Sequence, residues 1–233
     1  MSGEILDLEE AARLLQRDPR EVAKLASRGY LPARKVAGQW RFSRTELTHW
    51  VEKQMHAYTE EELAGLEGGG HAERRELLLA AYLPLECVAV PLNARTAASA
   101  LRELVESAQR SGYVYDPEAL LAALEQRERM ASTALECGVA LPHPHRPLPH
   151  ALGEHVIACG RTLSGIPFGA PRGILTDVFF LVCCQDDRTH LRVLARLSRL
   201  LLQPGLLEAL RQADTPQETH ELLLRAEREL VLE

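Results

Sequence analysis

Residues 124–143 read LEQRERMASTALECGVALPH. The stretch passes from a charge-rich helix end, QRER at 126–129, through small residues into the apolar run GVAL at 138–141, and stops at a proline and a histidine. Upstream, Asp116 and Pro117 supply an N-cap and a first-turn proline for a helix expected to reach about Arg129. Further back, Ala97, Ala100, Leu101, Leu104, Val105 and Ala108 recur at spacings of three and four, the pattern of an amphipathic helix from Thr96 to Arg110. ECVAVPL (86–92), EHVIACGR (154–161) and TDVFFLVCC (176–184) are apolar strand candidates, and Asp186 or Asp187 caps a helix through Leu202. The expected fold class is α/β (α+β): a sandwich in which a mixed sheet is flanked by helices.

The densest chemical signal is GVALPHPHRPLPHALGEH (138–155), which holds His143, His145, His150 and His155. Three readings compete. Imidazole is a common transition-metal ligand, but the five-residue gaps from His145 to His150 to His155 fit no usual ligand pattern and no cysteine pair assists, so no metal site is expected. Alternatively, the stretch is an exposed proline-rich loop whose histidines do nothing, the expectation for His145 and His150. In the third reading one histidine at the end of GVAL is a nucleophile. A neutral imidazole keeps a lone pair at cellular pH, and the phosphoramidate it forms can pass its group onward. Phosphoryl transfer needs mainly alignment and donors for the equatorial oxygens, so an arginine and a further donor should accompany that histidine.

Ahead of this region lies a different pattern. Leu8, Ala11, Ala12 and Leu15 lie at helical spacing, Asp18-Pro19 starts a second helix, and Gly29 ends it near Arg28. RKVAGQWRF (34–42) reads as two short strands about a Gly38-Gln39 turn, with Trp40 and Phe42 as anchors, and Ser43 caps a third helix. Arg20, Lys24 and Arg28 share one helix face, and Arg34, Lys35 and Arg41 decorate the hairpin. Such cations suit phosphates; a solvated face interrupted by Glu21 is the competing reading. Expected boundaries are 1–55 for a small, mainly α unit, 56–73 for a polar linker with its most flexible point at Gly68-Gly69-Gly70, and 74–233 for the larger domain.

Two resemblances follow. LDLEEAARLL (6–15), VAKLASRGYLPARKV (22–36) and GQWRFSRTELTHWV (38–51) resemble the winged helix-turn-helix of the MerR and excisionase type. That likeness implies DNA as partner, with Arg20, Lys24 and Arg28 facing the major groove and the wing contacting flanking backbone. From about Tyr82 to Leu230 the chain is similar to the type 2 IIA family of the bacterial phosphotransferase system, which includes mannitol, fructose and nitrogen-regulatory IIA proteins. The match sets His143 at the phosphorylated position, Arg127 at the active-site arginine, and His190, in DDRTHLRVLARLSRLL (186–201), at the second histidine. It implies a phosphorylated histidine carrier protein as donor and no cofactor. Two departures stand out. Pro144 replaces the family's usual glycine, removing a backbone donor, and Arg172 stands where relatives tend to carry an acid.

Composition sets the frame. Apolar residues make up 46% and charged residues 26%, ordinary for a soluble globular chain, and no run spans a bilayer. Acids near the start and an odd set of five cysteines without a CxxC pair point to reduced core thiols in a cytoplasm. Up to Gln54 there are ten Lys/Arg against eight Asp/Glu, and beyond it seventeen against twenty-five, within a net charge of -6. The modest positive excess in front suggests a homodimer or a recruited partner for tight DNA binding. The expected function is a regulator, a phosphoryl carrier rather than a metabolic enzyme, in which phosphorylation of His143 modulates the N-terminal DNA-binding or partner-binding unit. The alternatives are a transport IIA that passes phosphate to a separate IIB component and an interaction protein that keeps the fold without the chemistry.

Overall fold

The computed structural model describes residues 4–68 and 75–232. The chain divides into two compact units, Met1–Arg74 and Arg75–Glu233.

In the first unit, β1 (Ile5–Leu6), α1 (Leu8–Leu15), α2 (Pro19–Ser27), β2 (Arg34–Val36), β3 (Gln39–Ser43) and α3 (Arg44–Gln54) follow in order. Each helix has a reason to start where it does. Asp7 and Glu10 form a reciprocal capping box on α1, Asp18 accepts from Arg20 N on α2 with Pro19 behind it, and Ser43 accepts from Glu46 N on α3. The three strands pair antiparallel in the order β1-β3-β2. Ala11, Leu15, Val22, Phe42, Leu47 and Val51 are buried as the core. Phe42 is the hairpin's anchor; Trp40 is only half-buried, and Lys35 Nζ lies 5.5 Å from its ring centroid.

The hairpin turn falls one residue earlier than its sequence suggests. Val36 pairs with Gln39, so Ala37 and Gly38 form the loop, with φ of 49° and 81°. Two positive φ values define the type I′ turn that suits the twist of a hairpin, but an alanine there meets a steric penalty of roughly 1–2 kcal/mol. Ala37→Asn, creating the favoured Asn-Gly pair, should therefore stabilise the unit by about 0.5–1 kcal/mol in thermal melts. An unchanged or lower melting temperature would contradict that account.

Part of the expected linker is folded. Thr59 and Glu62 form a capping box at the head of α4 (Glu60–Glu67), and Glu62 meets Arg17 at 3.3 Å. Arg17 also pairs with Glu21 and lies over the Tyr58 ring. A polar composition conceals this helix, whose spaced Leu63 and Leu66 are both buried. Gly69 and Gly70 lie outside the described residues.

The second unit contains α5 (Leu78–Tyr82), β4 (Val88–Ala89), α6 (Ala97–Gln109), α7 (Pro117–Met130), β5 (Val139–Ala140), β6 (Val156–Pro167), β7 (Leu175–Cys183), α8 (Asp187–Leu202), α9 (Leu206–Gln212) and α10 (Pro216–Leu232). Its strands form a mixed sheet in the order β4-β6-β7-β5; β6 and β7 are antiparallel, and the two edge strands run parallel to their neighbours. Alternation along the central pair loads both faces. Val156, Ala158, Phe179, Leu181 and Cys183 join α6 and α7 in one apolar cluster, while Ile157, Phe180 and Val182 on the other face are equally buried. Helices flank the sheet, and among the described residues none is long and apolar enough to cross a membrane.

Arg196 of α8 and Glu227 of α10, both fully buried, pair at 2.8 Å; Glu227 also accepts from Leu79 N at 2.9 Å and Ala80 N at 3.2 Å, and Arg196 donates to Glu76 O at 3.0 Å. Four cysteines, Cys87, Cys159, Cys183 and Cys184, are buried as free thiols. Cys137 departs from the core reading: it is exposed, just ahead of β5.

Candidate functional site

The histidine at the end of GVAL is placed by β5 and its neighbours. Gly138 opens the strand with φ of 82°, and a Cβ there would lie 2.8 Å from Arg211 Nη2 and 3.1 Å from Leu175 O, so glycine meets both a conformational and a spatial need. Val139 and Ala140 pair in parallel with Val178 and Phe179 of β7, and Val182 N donates to Pro142 O at 2.9 Å, carrying the pairing to the residue before His143. His143 therefore emerges at the C-terminal end of both strands, the usual place for ligand chemistry on parallel strands. Its Nδ1 is 2.7 Å from Leu141 O. A carbonyl oxygen only accepts, so Nδ1 carries a proton, and in the neutral ring the lone pair is then on Nε2.

The other side of β5 is lined by the segment that leaves α7. Leu141 N donates to Thr133 O, Leu135 N donates to Val139 O, and Ala134 bridges Ala140 in antiparallel sense. By that register Ala131 stands level with His143. Arg127 Nη1 donates to Ala131 O at 2.6 Å, which brings the end of a guanidinium with five N–H donors to this level. The segment is fixed twice more. Glu128 accepts from Thr133 N at 3.1 Å and contacts its hydroxyl, and Ser132 Oγ donates to Phe168 O at 2.6 Å. Burial pushes the Glu128 carboxyl above the ordinary glutamate value, against the pull of the Thr133 donors.

His190 arrives from a third direction. Asp186 caps α8, accepting from Thr189 N at 2.8 Å, and His190 is the helix's fourth residue, with its N–H on Asp186 O at 3.1 Å. The His143 and His190 rings have centroids 4.9 Å apart, tilted by 58°. Arg127, His143 and His190 are 4%, 4% and 6% exposed, so charge on any of them is costly unless it is matched locally. The structure thus brings the two histidines together and runs the Arg127 segment alongside. His145 is half-buried and His150 exposed. Arg172 pairs with Glu136 at 3.8 Å, ahead of β5, at the opposite end of that strand from His143. Glu128, in the last turn of α7, and Ser132 and Thr133, just beyond it, belong to the stretch that carries the family resemblance, but the sequence alone gives them no role.

In the first unit Arg20, Lys24 and Arg28 are exposed along α2, and Arg34 and Lys35 are exposed on β2. Arg41 is half-buried and donates to Gln39 Oε1 at 2.8 Å. Glu21, the acid within the cationic stripe, turns to Arg17.

Residues 81–226 match the phosphoenolpyruvate-dependent sugar phosphotransferase system EIIA 2 family. The chain belongs to this family. Residues 5–55 match a helix-turn-helix domain. The fructose-specific EIIA component of the phosphotransferase system from Haloferax volcanii is 30% identical over 142 residues, covering 60% of this chain and 90% of that protein. A nitrogen regulatory protein from Bradyrhizobium diazoefficiens is 30% identical over 141 residues, covering 59% and 89%. Among solved structures, nitrogen regulatory protein IIA-Ntr from Neisseria meningitidis superposes with a TM-score of 0.57 at 24% identity, over 63% of this chain and 99% of that one. Arg127, His143 and His190 all lie inside the EIIA match, and the six candidate DNA-facing cations lie inside the helix-turn-helix match.

Proposed function

We propose that the EIIA unit accepts a phosphoryl group on His143 from a phosphorylated histidine carrier protein, and that its phosphorylation state modulates DNA or partner binding by the helix-turn-helix unit. The observation that carries this reading is the tautomer imposed by Leu141 O, which aims the Nε2 lone pair of His143 while His190 stands 4.9 Å away, centroid to centroid. In the transfer, Nε2 forms a bond to phosphorus as the bond from phosphorus to the donor's ring nitrogen breaks, and the donor imidazole takes back that electron pair. Positive charge left on the acceptor ring is spread toward Nδ1–H and its carbonyl partner. Arg127 and His190 supply donors for the equatorial oxygens, and the first turn of α8 favours an anion beside it.

The test is direct. Full-length protein incubated with phosphorylated carrier protein should gain an acid-labile phosphate on the peptide containing His143, with the phosphorus on Nε2 by nitrogen–phosphorus coupling. No mass gain, or a phosphate on Nδ1, overturns the assignment. The transferred group adds about 1.5–2 negative charges, enough to alter the binding of a nearby polyanion. Affinities and salt slopes of the two forms for a DNA duplex should therefore differ, and equality would remove the regulatory half of the proposal.

Replacing Arg20, Lys24 and Arg28 by Ala should weaken binding to a random-sequence 20-base-pair duplex and lower the salt slope by about 0.9 for each phosphate that is no longer neutralised. An unchanged slope would assign that face to solvent. The fructose-specific designation of the Haloferax relative favours a second reading, a transport IIA that hands its phosphate to a IIB component. Label that moves from His143 to an added IIB supports transport, and label that remains supports regulation.

A further inference from the structure

We infer that His155 is a positioning residue for phosphoryl transfer, holding the turn from which the His190 helix starts. The inference rests on the reading of His143 as acceptor. His155 directly precedes β6, whose first residue, Val156, pairs with Cys183 at the end of β7. That is the end of the sheet at which Pro142 and His143 emerge. Gln185 N donates to His155 Nδ1 at 3.1 Å. A backbone N–H can only donate, so in the neutral ring the proton sits on Nε2, which lies 3.7 Å from Asp186 Oδ2. Asp186 in turn caps α8 through Thr189 N and Thr189 Oγ1, at 2.8 and 2.9 Å. The Gln185 side chain completes the fastening with two bonds of 2.9 Å to Leu152 O and Gly153 O. The Tyr82 ring packs against the His155 imidazole at 5.0 Å and 73°, fixing its plane.

These contacts close a ring. The proline-rich segment leaves His143, returns at 152–155, grips the β7–α8 turn, and that turn launches the helix that presents His190 back to His143. The spacing of the two catalytic imidazoles is therefore set partly by a third one that touches neither. Losing the Nδ1 acceptor leaves Gln185 N–H without its partner and lets the first turn of α8 shift. In transfer chemistry a displacement near 1 Å is worth up to about 100-fold in rate.

The experiment measures transfer from phosphorylated carrier protein to the full chain, with rate at saturating donor and KM determined separately. His155→Ala should lower the saturating rate by about 10- to 100-fold while leaving KM within about twofold. His155→Asn, whose Oδ1 takes the place of Nδ1, should restore the rate to within a few-fold of wild type. His155→Gln, which reaches only the Nε2 position, should not. In a His190→Gln background the His155→Ala change should have little further effect, because both act through one group. Wild-type rates in His155→Ala, failure of Asn to rescue, or full additivity with His190→Gln would each overturn the role. If wild-type protein takes no label at all, the acceptor reading falls and this one with it; a labelled wild type with an indifferent His155 removes this one alone.

Discussion

His143→Ala should take no label from phosphorylated carrier protein, and His190→Gln should take it about 100- to 1,000-fold more slowly than wild type, the range for losing one preorganised donor to a developing oxyanion. The contrast between the two follows from their places. In the proposed transfer His143 supplies the nitrogen that becomes bonded to phosphorus, so no neighbour can replace it. His190 is held on the first turn of α8 beside that nitrogen and assists only by donating. Arg127→Lys should fall between them, since an ammonium preserves charge but loses the planar fork, and its bond to Ala131 O is part of what places it. The rates come from rapid-quench labelling. Transfer in His190→Gln at the wild-type rate would assign that ring to packing.

Arg196→Met should destabilise the EIIA unit by about 3–5 kcal/mol, because it strands a buried carboxylate rather than removing a pair. Glu227 is fully buried and anchors three elements at once: its own α10, Arg196 of α8, and the N–H groups of Leu79 and Ala80 at the start of α5. For a domain of this size the loss corresponds to a fall in melting temperature on the order of 10 °C. Burial already pushes the Glu227 carboxyl above its ordinary value of 4.5, with the backbone donors and Arg196 acting against that rise. Without Arg196 the rise is larger. A carboxyl whose folded-state pKa is raised contributes stability that is full below the unfolded value and is lost as pH climbs through the folded one. The unfolded state is common to both proteins, so the deficit of Arg196→Met relative to wild type should widen as pH climbs above the raised folded-state value that Glu227 has in the wild type. A deficit that is constant with pH would mean that Glu227 is not the group left stranded.

Much of this organisation is legible in the residues themselves. Caps announce the helices: Asp18-Pro19, Ser43, Thr96, Asp116-Pro117 and Asp186 all stand where the structure starts one. The central strands declare themselves through VIAC and DVFFLVC, apolar on both faces because both are covered. Other features are hidden for physical reasons. α4 has only eight residues, half of them glutamate, so composition outweighs its cap and two leucines. The hairpin loop sits one residue ahead of the expected turn because Ala37 adopts a conformation that alanine seldom favours, whereas Gly38 advertises one that glycine takes freely. At the site, His143 can be picked out by its place after a strand, but the roles of Ser132, Thr133 and Glu128 depend on a return of the chain beside β5 that no local pattern encodes. His155 is hidden more deeply still, since its partners lie thirty residues away in the β7–α8 turn.

The distribution of sulfur gives the molecule a built-in gauge of its own integrity. Burial pushes the thiol of Cys87 up to about 11 and that of Cys159 up to about 12, and raises Cys183 and Cys184 as well, so in the native state none of the four offers a reactive thiolate to an alkylating reagent. Cys137 alone among the five is open to solvent, at the end of β5 away from His143. A fluorophore can thus be attached there stoichiometrically without crowding the histidines, and the much slower uptake of four further equivalents becomes a clock for global opening of the EIIA unit.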